Sequence, residues 1–276
     1  MSPVIILWHP TAERFLEIVQ GPDDREVFLV LPDQPDPRII DAGPQSGRVS
    51  LLVDERSIGS IDYGVFRRMQ RNRWTLMLCH STDDLAVESH ASLERLIEVA
   101  QKFRIDVDFL LTLPGDSLHA ADAVRIVAFL ASNAVRRVSF AYPLLLSRIG
   151  IRQIRPARTN EFFDAFFESW LAGGRAFVID DVHLLVNRLE TRNAQVTFID
   201  ERCYDADGPI AELLTPGAAA NSRNRCAHSC EYYLVCGGDV YGAKALFNGT
   251  LDSSDNPYCA LVAKPLFARA LTQATA

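Results

Sequence analysis

Two rhythms of apolar residues alternate along the first two thirds of the chain. Short runs at Val4–Trp8, Glu26–Leu31, Arg48–Val53, Trp74–Cys79, Val107–Leu113 and Arg137–Tyr142 have the length and apolar density of buried strands. Between them lie stretches with helical spacing. Thr11–Gln20 places Phe15, Ile18 and Val19 on one face, with Thr11 as a cap. Ile61–Met69 reads as a further helix. Leu93, Leu96, Ile97 and Ala100 fall at i, i+3, i+4 and i+7 of a helix that Phe103 extends. Ala120–Ser132 is read with Val124, Val127, Ala128 and Ala131 as its stripe. Glu161–Leu171 is an aromatic-rich helix stopped by Gly173-Gly174, and its Phe162, Phe163, Phe166, Phe167 and Trp170 read as core. The second crossover is the least marked: Gln34–Gly47 is a polar, proline- and glycine-bearing loop with one short helical turn near Ile39–Ala42.

Six strand–helix alternations predict an α/β fold of parallel βα units with right-handed crossovers, as a partial (β/α)6 barrel. A doubly wound open sheet has the same periodicity and remains the alternative. The expected organisation is a barrel over residues 1–180, a bridging segment and linker over 181–222, and a small cysteine-rich domain with a C-terminal helix over 223–276. The bridge holds a helical piece at Leu184–Leu189, a strand at Gln195–Ile199 and a linker at Ala218–Ser222. The tail Pro265–Ala276 reads as a short helix.

Composition narrows the function classes. The chain has 276 residues, 48% of them hydrophobic, enough to bury a large core. Its net charge of −7 gives no basic footprint for nucleic acid, and no apolar run has the length of a membrane helix. The start MSPVIILWHP lacks the marks of a signal peptide, so the expected location is cytoplasmic.

Four of the six cysteines are spaced Cys226-x3-Cys230-x5-Cys236-x22-Cys259. Four thiolates can hold an iron–sulfur cluster or zinc. A close trio with one distant ligand favours the cluster over zinc, while a disulfide pairing or no metal stays open. His228, between the first two, is a further candidate ligand. Strand ends collect functional groups in parallel barrels, and here they carry His9, Asp33, Asp54-Glu55-Arg56, Cys79-His80, Asp83-Asp84 and Tyr142. His9, Cys79 and His80 are weak catalytic candidates, because a lone His or Cys at a strand end more often packs than reacts. No phosphate loop, serine nucleophile elbow or His-Glu-x-x-His helix is present.

The stretch Cys230-Glu-Tyr-Tyr-Leu-Val-Cys236-Gly-Gly, with Lys244, Phe247-Asn-Gly249, Asp252-Ser and Tyr258-Cys259, resembles the auxiliary-cluster (SPASM) domain of radical SAM peptide maturases. The resemblance implies a barrel of radical SAM type followed by a SPASM-like domain. It further implies an iron–sulfur cofactor on Cys226, Cys230, Cys236 and Cys259, and a place in the maturation of ribosomal peptides. The chain departs from the family in three ways. Three residues, not two, separate Cys226 from Cys230. Val240 stands where a further cysteine often lies, so one 4Fe–4S cluster is expected, with Cys203 as a relic ligand or a plain thiol. The loop after the first strand, Trp8-His9-Pro10-Thr11, lacks the Cys-x3-Cys-x2-Cys motif that holds the S-adenosylmethionine-cleaving cluster. The expectation is therefore a pseudo-radical-SAM accessory that does not cleave S-adenosylmethionine and binds a precursor peptide, a competent radical SAM maturase or both. The alternatives are a cluster-dependent enzyme acting on a peptide without that cleavage, and a zinc-bound structural protein.

Overall fold

All six apolar runs form strands: β1 (Val4–Trp8), β2 (Glu26–Val30), β3 (Arg48–Asp54), β4 (Thr75–Ser81), β5 (Val107–Thr112) and β6 (Arg137–Ala141). Two short strands join them, β7 (Val178–Ile179) and β8 (Cys203–Asp205), so among the described residues the sheet has eight strands, two more than the six strand–helix alternations predict. The structure, a computed structural model, describes residues 4–8, 10–20, 26–30, 37–41, 48–54, 61–85, 90–112, 119–141, 156–180, 182–183, 203–205, 226–233, 259 and 264–274. The proposed bridge pieces at Leu184–Leu189 and Gln195–Ile199 and the linker Ala218–Ser222 lie outside them.

Every pairing is parallel, in the order β7-β6-β5-β4-β3-β2-β1-β8. From β1 to β7 each strand adds beside its predecessor with no reversal, whereas a doubly wound sheet needs one. Right-handed crossovers in such a series put the helices on one face. With β8 beside β1, the order is that around a parallel α/β barrel left open, among the described residues, between β7 and β8. β8 comes from the stretch read as a bridge, and Cys203 opens it in register with Val4.

The helices are α1 (Ala12–Val19), α2 (Pro37–Asp41), α3 (Tyr63–Asn72), α4 (Thr82–Leu85), α5 (Ala91–Lys102), α6 (Ala120–Ser132), α7 (Pro156–Ala172) and α8 (Lys264–Ala274). Thr11 caps α1, its hydroxyl accepting from the Arg14 amide at 3.3 Å, and Asp62 caps α3 through the Val65 amide at 2.8 Å. The weakly marked second crossover is the five-residue α2. Alternation along the strands sends Leu76 and Leu78, Phe109 and Leu111, and Val138 and Phe140 into one cluster with Phe66, Ile97 and Ile126 of the helices. The α5 face is as the spacing predicts, with Leu93, Leu96, Ile97 and Ala100 all buried.

The α6 stripe is different. Val127 is buried, but Val124 is 49% exposed and Ala128 and Ala131 face outward; Ala123, Ile126, Phe129 and Leu130 fill the core instead. This helix is apolar on nearly every side, so spacing alone leaves its rotation open, and the larger Ile126, Phe129 and Leu130 have more apolar area to bury. On α7, Phe162, Phe163, Phe166 and Phe167 are all at most 1% exposed although they span more than one face. The helix is covered on several sides: Phe140 of β6 meets Phe163 and Phe166, α6 packs alongside, and α8 is tied to it by Arg269 pairing with Asp164.

The four turns leading into β4, β5, β6 and β7 repeat one device. Trp74, Ile105, Val135 and Arg175 donate their amides back to the carbonyls of Met69, Ala100, Leu130 and Trp170, at 2.9, 3.0, 3.2 and 3.0 Å. These are Schellman closures, which need a left-handed residue just before. Gly174 fills that position after α7 with φ +73°, but Arg73, Arg104 and Ala134 fill it elsewhere with φ 56°, 56° and 49°. A side chain in this region is strained by about 1–2 kcal/mol, and glycine is not. Ala134→Gly should therefore raise stability by about 0.5–1 kcal/mol after the extra flexibility of the unfolded glycine chain is offset. A higher denaturant midpoint at unchanged slope is the expected reading; a lower midpoint would contradict the strain at this turn.

Candidate metal centre and the polar inner face of the sheet

Residues 226–229 form one helical turn, and the Cys230 amide donates to the Cys226 carbonyl at 2.9 Å. The i, i+4 spacing thus puts Cys226 and Cys230 on one side of that turn. Cys226 is buried, Cys230 and Cys259 are half-buried, and all three are thiols. Tyr232 packs on the α8 ring of Phe267, centroids 6.1 Å apart, and both Tyr232 and Cys259 rest against the main core cluster. His228 is exposed on the turn. Cys236 lies outside the described residues. Among those described, no three His, Cys, Asp or Glu side chains are grouped closely enough to hold a metal ion. The donor chemistry and helical spacing of Cys226 and Cys230 fit two ligands of a thiolate-bound cluster.

The second candidate group is separated by the sheet itself. Adjacent strand residues point to opposite faces. Cys79, 4% exposed, belongs to the inner face with Met77, while His80 belongs to the helix-covered face and lies against the Phe109 ring at 6.2 Å. Strand geometry alone therefore keeps Cys79 and His80 from sharing a site. Of the other strand-end candidates, Asp54 closes β3, and Asp83 and Asp84 lie in α4; His9, Asp33, Glu55, Arg56 and Tyr142 fall outside the described residues.

The inner face carries polar groups that the apolar runs conceal. Asp108, Thr112, Ser139 and Asp180 are each at most 7% exposed, across β5, β6 and the end of β7. Arg136 forks onto Asp108, Nε to Oδ1 at 3.0 Å and the second arm to Oδ2 at 2.7 Å, and reaches Asp106 at 2.9 Å. Arg137 pairs with Asp180 at 3.3 Å, and the Ser139 hydroxyl donates to the other oxygen of Asp180 at 3.0 Å. Burial pushes the Asp108 carboxyl above its usual range, and the Arg136 fork draws it only part of the way back. The Asp180 contacts tie the end of β7 to β6, and together these partners satisfy the buried carboxylates. The legible signals are a lone acid in the apolar run VDFLLT and the Arg136-Arg137 pair opening a strand.

On the same face, Cys79, Leu110 and Ser139 are in register across β4, β5 and β6. Neighbouring strands are about 4.8 Å apart, so two strand steps separate the Cys79 thiol from the Ser139 hydroxyl. The inner face thus offers a buried polar wall but no nucleophile–base pair among these residues. No helix among the described residues is long and apolar enough to cross a membrane. The chain matches no protein-family model and no curated protein sequence.

Proposed function

We infer that this chain is a non-catalytic accessory of ribosomal-peptide maturation: a pseudo-radical-SAM scaffold whose SPASM-like C-terminal domain carries one auxiliary 4Fe–4S cluster. The cluster would be held by Cys226, Cys230, Cys236 and Cys259, and when bound it supplies a thiolate-ligated redox centre that also ties loops together. The barrel would bind a precursor peptide, a competent radical SAM maturase or both. The observation that carries this reading is the uninterrupted parallel order β1 to β7 combined with a first loop that holds no cysteine. Binding needs the shape of such a barrel but not its radical chemistry.

The chain's own residues would act in two ways. Cys226 and Cys230 offer two ligands from one turn, which the contact of Tyr232 with Phe267 holds against α8. Asp108, Ser139 and Asp180 keep the inner wall polar and ordered, favouring a hydrogen-bonding occupant such as a peptide.

Anaerobically reconstituted protein given S-adenosylmethionine and a strong reductant should form no 5′-deoxyadenosine above the buffer background. Multiple turnovers would overturn the accessory assignment. Cys230→Ser and Cys236→Ser should each lower iron content and expose the C-terminal segment to proteolysis. Full metal content in both variants would remove these residues from the ligand set.

A further inference from the structure

We propose that the floor of the barrel, where α3, α5, α6 and α7 turn into β4, β5, β6 and β7, is a docking surface for an acidic segment of a protein partner. Strand order sets these four turns side by side. Residues 70–75, 101–107, 131–136 and 171–177 carry Arg71, Arg73, Lys102, Arg104, Arg136 and Arg175 against a single acid, Asp106. The whole chain has the opposite balance, 28 cations to 35 acids, so positive charge is concentrated at this end.

The cations there are exposed. Arg136 is held by Asp106 and Asp108, and Arg71 by Asp41 at 3.1 Å. Arg73, Lys102 and Arg104 form no ion pair among the described residues. Arg175 lies over the Trp170 ring at 5.7 Å. Cations near helix C-termini are favoured modestly by the helix dipole. Three of these arginines, however, sit at left-handed positions, with φ of 56°, 56° and 58°, where the backbone strain is about as large or larger. Ala134 after α6 and Gly174 after α7 occupy the position that Arg73 and Arg104 hold after α3 and α5, so the turn itself does not require arginine. Charge is thus kept at positions where local stability favours glycine.

Adjacent helices are about 8–10 Å apart, so four neighbouring turns span about 25–30 Å, the length of about eight extended residues. A short acidic stretch matches that reach. A long polyanion would meet the net negative charge of the rest of the chain, and among the described residues the floor offers little aromatic surface for bases, since Trp74 and Trp170 are 2% and 7% exposed and the half-buried Phe103 is stacked on the Phe66 ring. An acidic protein segment is therefore favoured over nucleic acid. This inference is independent of the cysteine ligands and of the accessory role.

The test is fluorescence anisotropy on the full-length protein with a labelled ten-residue peptide alternating Glu and Ser, beside its Gln counterpart and a ten-nucleotide oligothymidine. The acidic peptide should bind, and binding should weaken about tenfold between about 0.05 and 0.3 M salt. Arg73→Glu/Lys102→Glu/Arg104→Glu should lower affinity at least tenfold while melting as the parent does. Arg67→Glu/Arg95→Glu/Arg125→Glu makes the same charge change on exposed helix positions away from the floor and should lower it less than threefold. Equal losses in both triple variants, no binding at about 1 mM peptide, equal binding of the Gln peptide, or tighter binding of the oligonucleotide would each overturn the proposal. If the floor triple variant unfolds, Arg104→Gln alone, expected to lower affinity severalfold, decides by the same comparison.

Discussion

Phe166→Ala is expected to lower stability by about 3–5 kcal/mol. Phe166 is fully buried, and its ring lies 5.4 Å from Phe140, 5.8 Å from Phe162, and 6.3 Å from both Phe167 and Phe177. These partners come from β6, from α7 itself and from the turn into β7, so the cavity would open where three parts of the fold meet. They cannot easily collapse to fill it, because Phe140 is also fixed edge-on to Phe163 at 5.0 Å and the Trp170 indole donates to the Phe177 carbonyl at 2.8 Å. Phe166→Leu keeps much of the volume and should cost well under half as much. Denaturant midpoints of the two variants test this. A loss below about 1 kcal/mol for alanine would mean that α7 is not packed as described.

Arg136→Ala should follow, at about 2–3 kcal/mol near neutral pH. Removing one partner of a buried pair costs about 3–5 kcal/mol, because the remaining charge is left in a poor solvent. The loss falls below that range because the Arg136 side chain is 43% exposed while Asp108 is only 4% exposed, so water reaches one side of the pair. The lost contact to Asp106, which is itself largely exposed, adds little.

The deficit should depend on pH in a defined direction. Burial already raises the Asp108 carboxyl above its usual value, and without Arg136 the opposing pull is gone and it rises further. A carboxyl with a raised folded value binds its proton more tightly in the fold than in the unfolded chain. Its stabilising contribution is fully present below the unfolded value, near about 3.9, and is lost as pH rises through the folded value. Arg136→Ala should thus come closest to the parent at about pH 4 and differ most at neutrality. Adding Asp108→Asn should remove that pH dependence. A deficit of the same size at both pH values would contradict the coupling.

Most of the sheet was legible because six strands announce themselves as apolar runs bounded by turns. β7 and β8 were not, since two and three residues are too few to show a period. α2 was faint for the same reason, being five residues long within a polar loop. The rotation of α6 was illegible because AADAVRIVAFLAS has no clear polar side, so packing against α7 and the sheet chooses the buried face.

Of the candidate sites, the opposition of Cys79 and His80 was contained in the strand period itself. The polar inner row was concealed, because Asp108 and Ser139 sit in runs whose overall hydrophobicity masks them, and Asp180 directly follows a strand only two residues long. Their pairing with Arg136 and Arg137 depends on strand register, which periodicity alone does not fix. The cysteine spacing was plain in the sequence. What the fold adds is the single turn that brings Cys226 beside Cys230 and the packing of Tyr232 against α8.

The most direct measurement is the iron, acid-labile sulfide and zinc content of protein purified without oxygen, with its low-temperature electron-resonance spectrum after reduction. About four irons and four sulfides per chain, with a reduced-cluster signal, is the predicted result. About one zinc with no sulfide, or no metal at all, would contradict the auxiliary cluster and leave the barrel scaffold without its redox centre.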